Sequence, residues 1–534
     1  MRQDKHAHTK QISFYWLIPI LGFVGLASYW LTISIIHQEE TEVFPTRKPT
    51  AKLIKSIQKV SEPLRIKDRV SEITPELKIS ENALSKQRAI TFKDSEAMQR
   101  FLEKMGNGIS LLGSINSLDT LLVSFSDEAT LAAMLDGTEE TSEVFPVTIP
   151  SFEGPKAQAG AVALENGLLS WLGIEGDNSA FGKGIMIAVL DTGIADHLVF
   201  SSEIQRINLV PLPDNPAELN SHGTAVASLI FSNNPLAPGV APGATPLSVR
   251  IADDNGSSNS FIMAQGIIAA VDAGAQLVNI SLGGYGQSPL VDKALKYAND
   301  KGAIVVASAG NSGTQGVMQP AANPRVIAVG AVDAMNQPMA FSTTGSEVAI
   351  SAPGYGVNVA YRGNYATRVN GTSFSGPIAA GVIAAAASSS GSQTMTMQQA
   401  SNLVLSHLKD IGVQGSDHST GAGVPDMKSI LKAGSSGYYD ASINSIYPLN
   451  DNQVGVLVQN LGTETLINAE VSISINGTPT LVNITTLPPQ QTRLVAVPTG
   501  GSTDLQILSN VKLSSSQTDQ RTSNNSLNQQ MISK

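Results

Sequence analysis

Between residues 183 and 433 the chain alternates two hydrophobic textures. Short unbroken runs of Val, Ile, Leu and Ala, "GIMIAVLD", "QLVNISL" and "AIVVASAG", are separated by longer helix-like stretches such as "SNSFIMAQGIIAAVDAG". Strands without polar alternation are covered on both faces, so this block reads as α/β, a parallel sheet with helices on both faces. A site then belongs in the loops at the strand ends. Upstream, "RAITF" reads as a strand, "KDSEAMQRFLEKMG" as an amphipathic helix and "GISLLGSINSLDTLLVSF" as two strands around a turn. "SDEATLAAMLDG" gives a second helix capped by Ser126, and "SEVFPVTIP" a last strand. The order βαββαβ predicts a ferredoxin-like α+β unit over 88–150. From about Gly434 polarity alternates with period two in "QVGVLVQN", "AEVSISING", "TRLVAVP" and "LQILSNVKLS", which predicts an all-β sandwich over 434–534.

The same pattern marks the N-terminus. Residues 12–36, "ISFYWLIPILGFVGLASYWLTISII", form an uncharged run of 25 residues. At about 1.5 Å per residue such a helix exceeds the roughly 30 Å hydrocarbon core of a bilayer. Arg2, Lys5 and Lys10 precede the run and Glu39, Glu40 and Glu42 follow it. This asymmetry keeps residues 1–11 in the cytoplasm and exports the rest, giving a single-pass protein of the inner or cytoplasmic membrane. Gly25-Leu26-Ala27 offers a signal-peptide cleavage pattern, yet the apolar run continues to Ile36, which favours a retained anchor. Residues 37–87 mix Lys, Glu, Pro and Thr without a period and read as a stalk. The block 151–433 is then the extracytoplasmic α/β domain.

Composition narrows the chemistry. The 534 residues are 42% hydrophobic, enough for several domains with at least one large core. The net charge of −10, with no Lys/Arg run in the body of the chain, argues against nucleic acid as a partner. Cysteine is absent, which excludes disulfides, thiolate catalysis and Cys-based zinc sites.

In "VNGTSFSGPIAAGVIAAAA", residues 369–387, two hydroxyls, Ser373 and Ser375, stand at the threshold of a small apolar run that predicts a buried helix from Gly376 to Ala387. Acyl transfer by serine needs a base, a carboxylate that orients the base, and donors for the oxyanion. "IAVLDTGIADH" places Asp191 at a strand end, "SHGTAVASLIF" places His222 at a helix start, and "VVASAGNSG" places Asn311 just past a strand. Singly, these are ordinary cap and turn residues. Together they stand in the chain order Asp, His, Ser, one of the known triad orders.

Six ordered stretches, "AVLDTGI", "HGT", "SLGG", "ASAGN", "SAPG" and "GTSFSGP", give this region a specific resemblance to the subtilisin family (subtilases). The resemblance implies a subtilisin-like fold and an exported serine endopeptidase acting on protein or peptide substrates. Pro377, four positions after Ser373, makes Ser373 the nucleophile. Ser375 then occupies a position where the family usually has alanine. Asn311 becomes the side-chain oxyanion donor, and Ser281, Leu282, Gly283 and Gly284 the strand that pairs with substrate. Gly283 and Gly284 leave room for the residue before the scissile bond, and Ala309 and Gly310 are further substrate-binding residues, Gly310 letting backbone pass close to the substrate. Ala225 and Ser228 depart from residues frequent in relatives, but neither moves a proton.

The family also implies that residues 88–150 are an inhibitory propeptide, a partner of the enzyme until self-processing removes it. That cut would release the peptidase from its membrane anchor. The C-terminal sandwich resembles CARDB-like adhesion modules. No cofactor is required for catalysis. Structural calcium stays unassigned, since the loop "SNNPLAPGVAP" around Asn233 and Asn234 resembles a calcium loop in shortened form. Asp196 and His197 are a conceivable metal pair without further ligands. The alternative reading is an adhesion or binding protein whose peptidase domain is inactive or only matures itself. A lipase or esterase is disfavoured because the nucleophile stretch is not G-x-S-x-G.

Overall fold

The computed structural model describes residues 42–43, 82–135, 139–149, 158–215, 218–313, 316–389, 395–502 and 504–532. The apolar run 12–36, nearly all of the stalk and residues 150–157 lie outside them. Among the described residues no helix is long and apolar enough to cross a membrane.

The N-terminal unit runs β1 (Gln87–Thr91), α1 (Ser95–Lys104), β2 (Ile109–Ile115), β3 (Thr120–Phe125), α2 (Glu128–Ala132) and β4 (Glu140–Glu143). Its antiparallel sheet has the order β2-β3-β1-β4. Alternation along the strands gives the sheet two apolar faces. Ile90, Leu121 and Val123 pack under Met98, Phe101 and Leu131 of the helices, and Ala89, Ile115 and Leu122 join the core of the following domain. Two expectations are corrected here. The cap of α2 is Asp127, whose carboxylate accepts from the Thr130 amide, while the Ser126 hydroxyl meets the Asp127 carboxylate and the Thr130 hydroxyl and caps no amide. The expected last strand is two: β4 closes this sheet, while β5 (Pro146–Thr148) pairs elsewhere, with β9.

The central domain is built on β6 (Met186–Asp191), β7 (Gln205–Asn208), α3 (His222–Phe231), β8 (Thr245–Arg250), β9 (Ser257–Asn259), α4 (Ser260–Asp272), β10 (Leu277–Ile280), α5 (Pro289–Asp300), β11 (Ile304–Ser308), β12 (Val326–Val332), β13 (Val348–Pro353) and α6 (Thr372–Ser388). Seven strands form a parallel sheet in the order β13-β12-β11-β10-β6-β8-β7. Ile187, Val189, Val306 and Ile350 face α3 and α6, and Ala188, Leu190, Val278 and Ala307 face α4 and α5. The sheet is therefore covered on both faces, as its unbroken apolar strands require. Helix α6 is buried from Thr372 to Ala387. It starts earlier than expected, so Ser373 lies inside its first turn and not before it.

The C-terminal region packs two antiparallel sheets. Strands β14 (Ala441–Asn450), β15 (Gln453–Asn460) and β18 (Thr492–Pro498) form one. Strands β16 (Leu466–Ile475), β17 (Thr478–Leu487), β19 (Asp504–Lys512) and β20 (Ser526–Ile532) form the other, in the order β17-β16-β19-β20. Ile443, Val456, Val471, Ile473 and Ile507 fill the space between them. The sandwich is tied to the α/β domain by Arg521, which pairs with Asp426 and lies 3.8 Å from Asp440. Tyr438 donates to Asp440 at 2.8 Å in the same seam.

Candidate active site

Asp191 is the last residue of β6 and His222 the first of α3, so the carboxyl end of a strand and the start of a helix meet. Both side chains are buried, and His222 Nδ1 lies 2.9 and 3.0 Å from the two Asp191 carboxylate oxygens. A carboxylate only accepts, so Nδ1 carries the proton and the Nε2 lone pair is left for a substrate-side hydroxyl. The two loops touch without side chains between them. A Cβ on Gly223 would lie 2.3 Å from the Gly193 carbonyl oxygen.

A ring of polar contacts holds this pair. Arg250, fully buried at the end of β8, donates to the Thr192 carbonyl, to Pro211 O at 2.9 and 3.0 Å, and to the Asp254 carboxylate at 2.9 Å. Asp254 accepts from the Asn220 amide at 2.9 Å, and Asn220 Oδ1 accepts from the His222 amide at 2.9 Å. Thr192 closes the ring by donating its amide to Asp191 at 2.7 Å and its hydroxyl to Asn220 O at 3.0 Å. None of Arg250, Asp254, Asn220 and Thr192 is legible from motif spacing alone. The one sequence signal is a lone Arg in an apolar strand with an acid four residues on.

Ser373 is 2% exposed, and its Oγ donates to the Ser281 carbonyl at 3.2 Å; among the described residues it makes no hydrogen bond to His222. Ser281 returns a bond from its own Oγ to Ser373 O at 2.8 Å, and Asn279 Nδ2 donates to that Oγ at 3.1 Å. Phe374, the next residue, packs on the His222 ring with centroids 5.6 Å apart. Ser373 and the imidazole are thus brought to one place. Ser375 Oγ points away, buried, and donates to Pro353 O at 3.2 Å. That bond also explains the "SAPG" glycine, since a Cβ on Gly354 would lie 2.5 Å from Ser375 Oγ.

Asn311 stands three residues past β11. Its Oδ1 accepts from both the amide and the hydroxyl of Thr372, each at 2.9 Å. An N–H demands an oxygen opposite it, so the amide orientation follows, with Nδ2 on the open side beside Gly371. A Cβ on Gly371 would lie 3.1 Å from that nitrogen. With the Ser373 N–H in the first turn of α6, this makes two donors at the positive end of a helix dipole.

The Ser281–Gly284 stretch pairs with the chain's own β5. Thr148 and Gly283 exchange both backbone bonds, at 3.0 and 3.2 Å, while β5 pairs with β9 on its other side and Ile149 donates to Gly256 O at 2.8 Å. Gly284 makes room for backbone, since its Cβ would lie 2.5 Å from Pro146 O. A Cβ on Gly283 would lie nearest Gln319 O, at 2.6 Å, and one on Gly310 nearest Thr343 Oγ1, at 2.9 Å, with the Met318 side chain next to both. The Leu282 side chain is buried in the core, so that residue offers only its backbone, and Ala309 is buried with its amide on Val329 O at 3.0 Å.

The metal candidates are engaged otherwise. Asp196 pairs with Arg206 at 2.6 Å, and His197 Nε2 lies 3.0 Å from Tyr361 O. Asn234 Oδ1 accepts from the Leu236 amide at 3.0 Å. Among the described residues no group of three or more His, Cys, Asp or Glu gathers as a metal site.

Comparison with known proteins agrees with this geometry. The subtilase family model (peptidase S8) matches residues 182–423. The chain is 43% identical over 209 residues to a thermostable alkaline protease of Halalkalibacterium halodurans, covering 38% of this chain and 57% of that protein. It is 37% identical over 224 residues to a thermophilic serine proteinase of Bacillus sp. strain AK1, covering 41% and 55%. It is 32% identical over 314 residues to the M-protease of Shouchella clausii, covering 55% and 79%. The chain thus spans little more than half the length of the first two and about four fifths of the third.

Proposed function

The chain belongs to the subtilase family, and from that premise we propose that it is a serine endopeptidase that hydrolyses peptide bonds through Ser373. The observation that carries the reading is the buried Asp191–His222 pair set beside a serine in the first turn of α6, with the Asn311 amide turned open by Thr372. His222 Nε2 takes the Ser373 proton as Oγ attacks the substrate carbonyl, and Asp191 stabilises the imidazolium that results. Oγ reaches the imidazole by a χ1 rotation away from Ser281 O. Negative charge on the carbonyl oxygen is met by Asn311 Nδ2 and the Ser373 N–H. The proton on His222 then passes to the leaving amine, and water repeats the sequence to release the acyl group.

The N-terminal unit is, in this reading, an inhibitor that the enzyme cuts away. Support comes from the pairing: Thr148 of β5 lies opposite Gly283, two residues from Ser281, whose carbonyl accepts from Ser373 Oγ. In this reading the cut falls within or close to the segment 150–164 that follows β5 in the chain. We propose also that residues 12–36 anchor the precursor in the membrane with the peptidase outside the cytoplasm, so that this cut frees it.

A fluorophosphonate probe should label wild-type protein and fail on Ser373→Ala. Purified wild-type protein should yield a new N-terminus within or close to residues 150–164, while Ser373→Ala stays uncut. Full peptidase activity with residues 88–150 still attached would overturn the inhibitor role.

A further inference from the structure

We infer that Met318 limits the side chain accepted just before the scissile bond, so that this peptidase cuts after glycine, alanine and similarly small residues and rejects large aliphatic and aromatic ones. The inference rests on the peptidase reading above and names its substrate class.

In an antiparallel pair, directly opposed residues put their side chains on the same face, and residues two apart on one strand share that face. Thr148 is opposed to Gly283, so a substrate residue bound along this edge opposite Ser281, two positions on, would turn its side chain to the side where a Gly283 Cβ would point. That side is filled. A Cβ on Gly283 would lie 2.6 Å from Gln319 O, and then 3.1 Å from Met318 Cβ and 3.4 Å from its Cε. From the opposite wall, a Cβ on Gly310 would lie 2.9 Å from Thr343 Oγ1, and then 3.0 Å from Met318 Cε and 3.1 Å from its Cγ. Met318 is the one side chain common to both. The thioether therefore spans the space between the two bare stretches of backbone.

Met318 cannot back out as a whole. Its amide donates to Ala309 O at 3.1 Å, and the next residue, Gln319, exchanges two bonds with Gly284, at 2.8 and 3.0 Å. One residue is thus stitched to each wall. Across the same gap Tyr285 donates to Ser312 Oγ at 2.8 Å, which ties the walls together. A large substrate side chain would have to displace the Met318 side chain, whereas a methyl group or a hydrogen would not. Gly310, at φ 115°, takes a backbone conformation that glycine favours, so the bare wall facing Met318 is also demanded by local geometry.

The test is a peptide series differing only in the residue before the cut, alanine, glycine, leucine and phenylalanine, read as kcat/KM for the wild type and for Met318→Ala. Differences of one or a few methylenes in an apolar pocket are worth roughly 10- to 200-fold. Wild type should favour alanine over phenylalanine by at least about tenfold, and Met318→Ala should raise the phenylalanine and leucine values by a similar factor while leaving alanine within about threefold. Wild type preferring phenylalanine or leucine overturns the inference while the peptidase reading stands. An unchanged ranking in a soluble Met318→Ala protein does the same. No cleavage of any peptide, with no fluorophosphonate labelling, overturns the peptidase reading and the inference together. The wild-type profile needs no variant to fold.

Discussion

Thr372 grips Asn311 twice, with its amide and its hydroxyl both 2.9 Å from Oδ1. The residue that precedes Ser373 thereby orients the side chain proposed to meet the oxyanion. Removing the Asn311 donor by Asn311→Leu should lower kcat with little change in KM. The size of that loss is carried over from subtilisin, where removing such a donor costs about 10²–10³-fold. Thr372→Val, which keeps the shape and the amide, should cost roughly five- to tenfold, the equivalent of one hydrogen bond of about 1 kcal/mol. Thr372→Ser should restore it. Steady-state kinetics on one peptide checks all three.

The two serines of the α6 threshold should separate cleanly. Ser373→Ala is expected to abolish hydrolysis, whereas Ser375→Ala, which loses only the bond to Pro353 O, should keep most of the activity and lower stability by about 1 kcal/mol. Equal loss of activity in both would sink the assignment of the nucleophile.

Asp254 should matter to His222 without touching substrate. Asp254→Ala leaves the fully buried Arg250 guanidinium and the Asn220 amide without that carboxylate, which, with Asp254 itself half-buried and Arg250 keeping its bonds to Thr192 O and Pro211 O, should cost about 1–3 kcal/mol of stability. It should also lower kcat more than it raises KM, because the His222 amide hangs from Asn220. Asp254→Asn retains an acceptor for Asn220 and should recover much of both. Thermal unfolding and a kcat/KM split report the two effects separately.

The seam with the sandwich carries a pH dependence of definite sign. Burial pushes the Asp440 carboxyl up to about 6, outweighing its bond from Asn524 and the nearby Arg521 charge. In the unfolded chain the group sits at its ordinary 3.8. The folded state thus holds the proton longer, so this contribution to stability is complete below about 3.8 and is lost as pH rises through about 6. Unfolding followed between about pH 4 and about pH 6.5 should show wild type losing stability relative to Asp440→Asn across that window. A flat difference would mean that Asp440 is ionised throughout.

The reactive residues were legible because each sits in a short local pattern with a backbone reason. Asp191 ends a strand of unbroken apolar residues, His222 opens a helix, and Gly371 and Gly223 mark close approaches on either side of the chemistry. What supports them was not legible. Arg250 and Asp254 acquire their role only when β8 lies beside β6, and Met318 only when its segment is laid between two walls distant in sequence. The break between β4 and β5 was hidden for a related reason. Both halves of "SEVFPVTIP" read as strand, and only the register of Pro146–Thr148 against Ser257–Asn259 shows that the second half belongs to another sheet. The start of α6 is hidden because Gly376 and Pro377 look like breakers, yet Pro377 stands inside the helix, and the Ser373 carbonyl that its missing N–H leaves free accepts from Ser281 Oγ.

That break has a consequence in time. Only Val144 and Phe145 separate β4 from β5, and both are buried, Val144 in the core shared with α4 and α5. The tether has no slack. If the chain is cut within 150–164, β5 leaves the cleft only when the whole β1–β4 sheet lifts from the two helices beneath it, surrendering Ala89, Ile115 and Leu122 from their shared core as well. Hydrolysis of one bond would then be the fast event and departure of the unit the slow one. Onset of activity would show a lag set by a dissociation rate, shortened by mild denaturant and lengthened by excess of the free unit, and not by the turnover number of the enzyme.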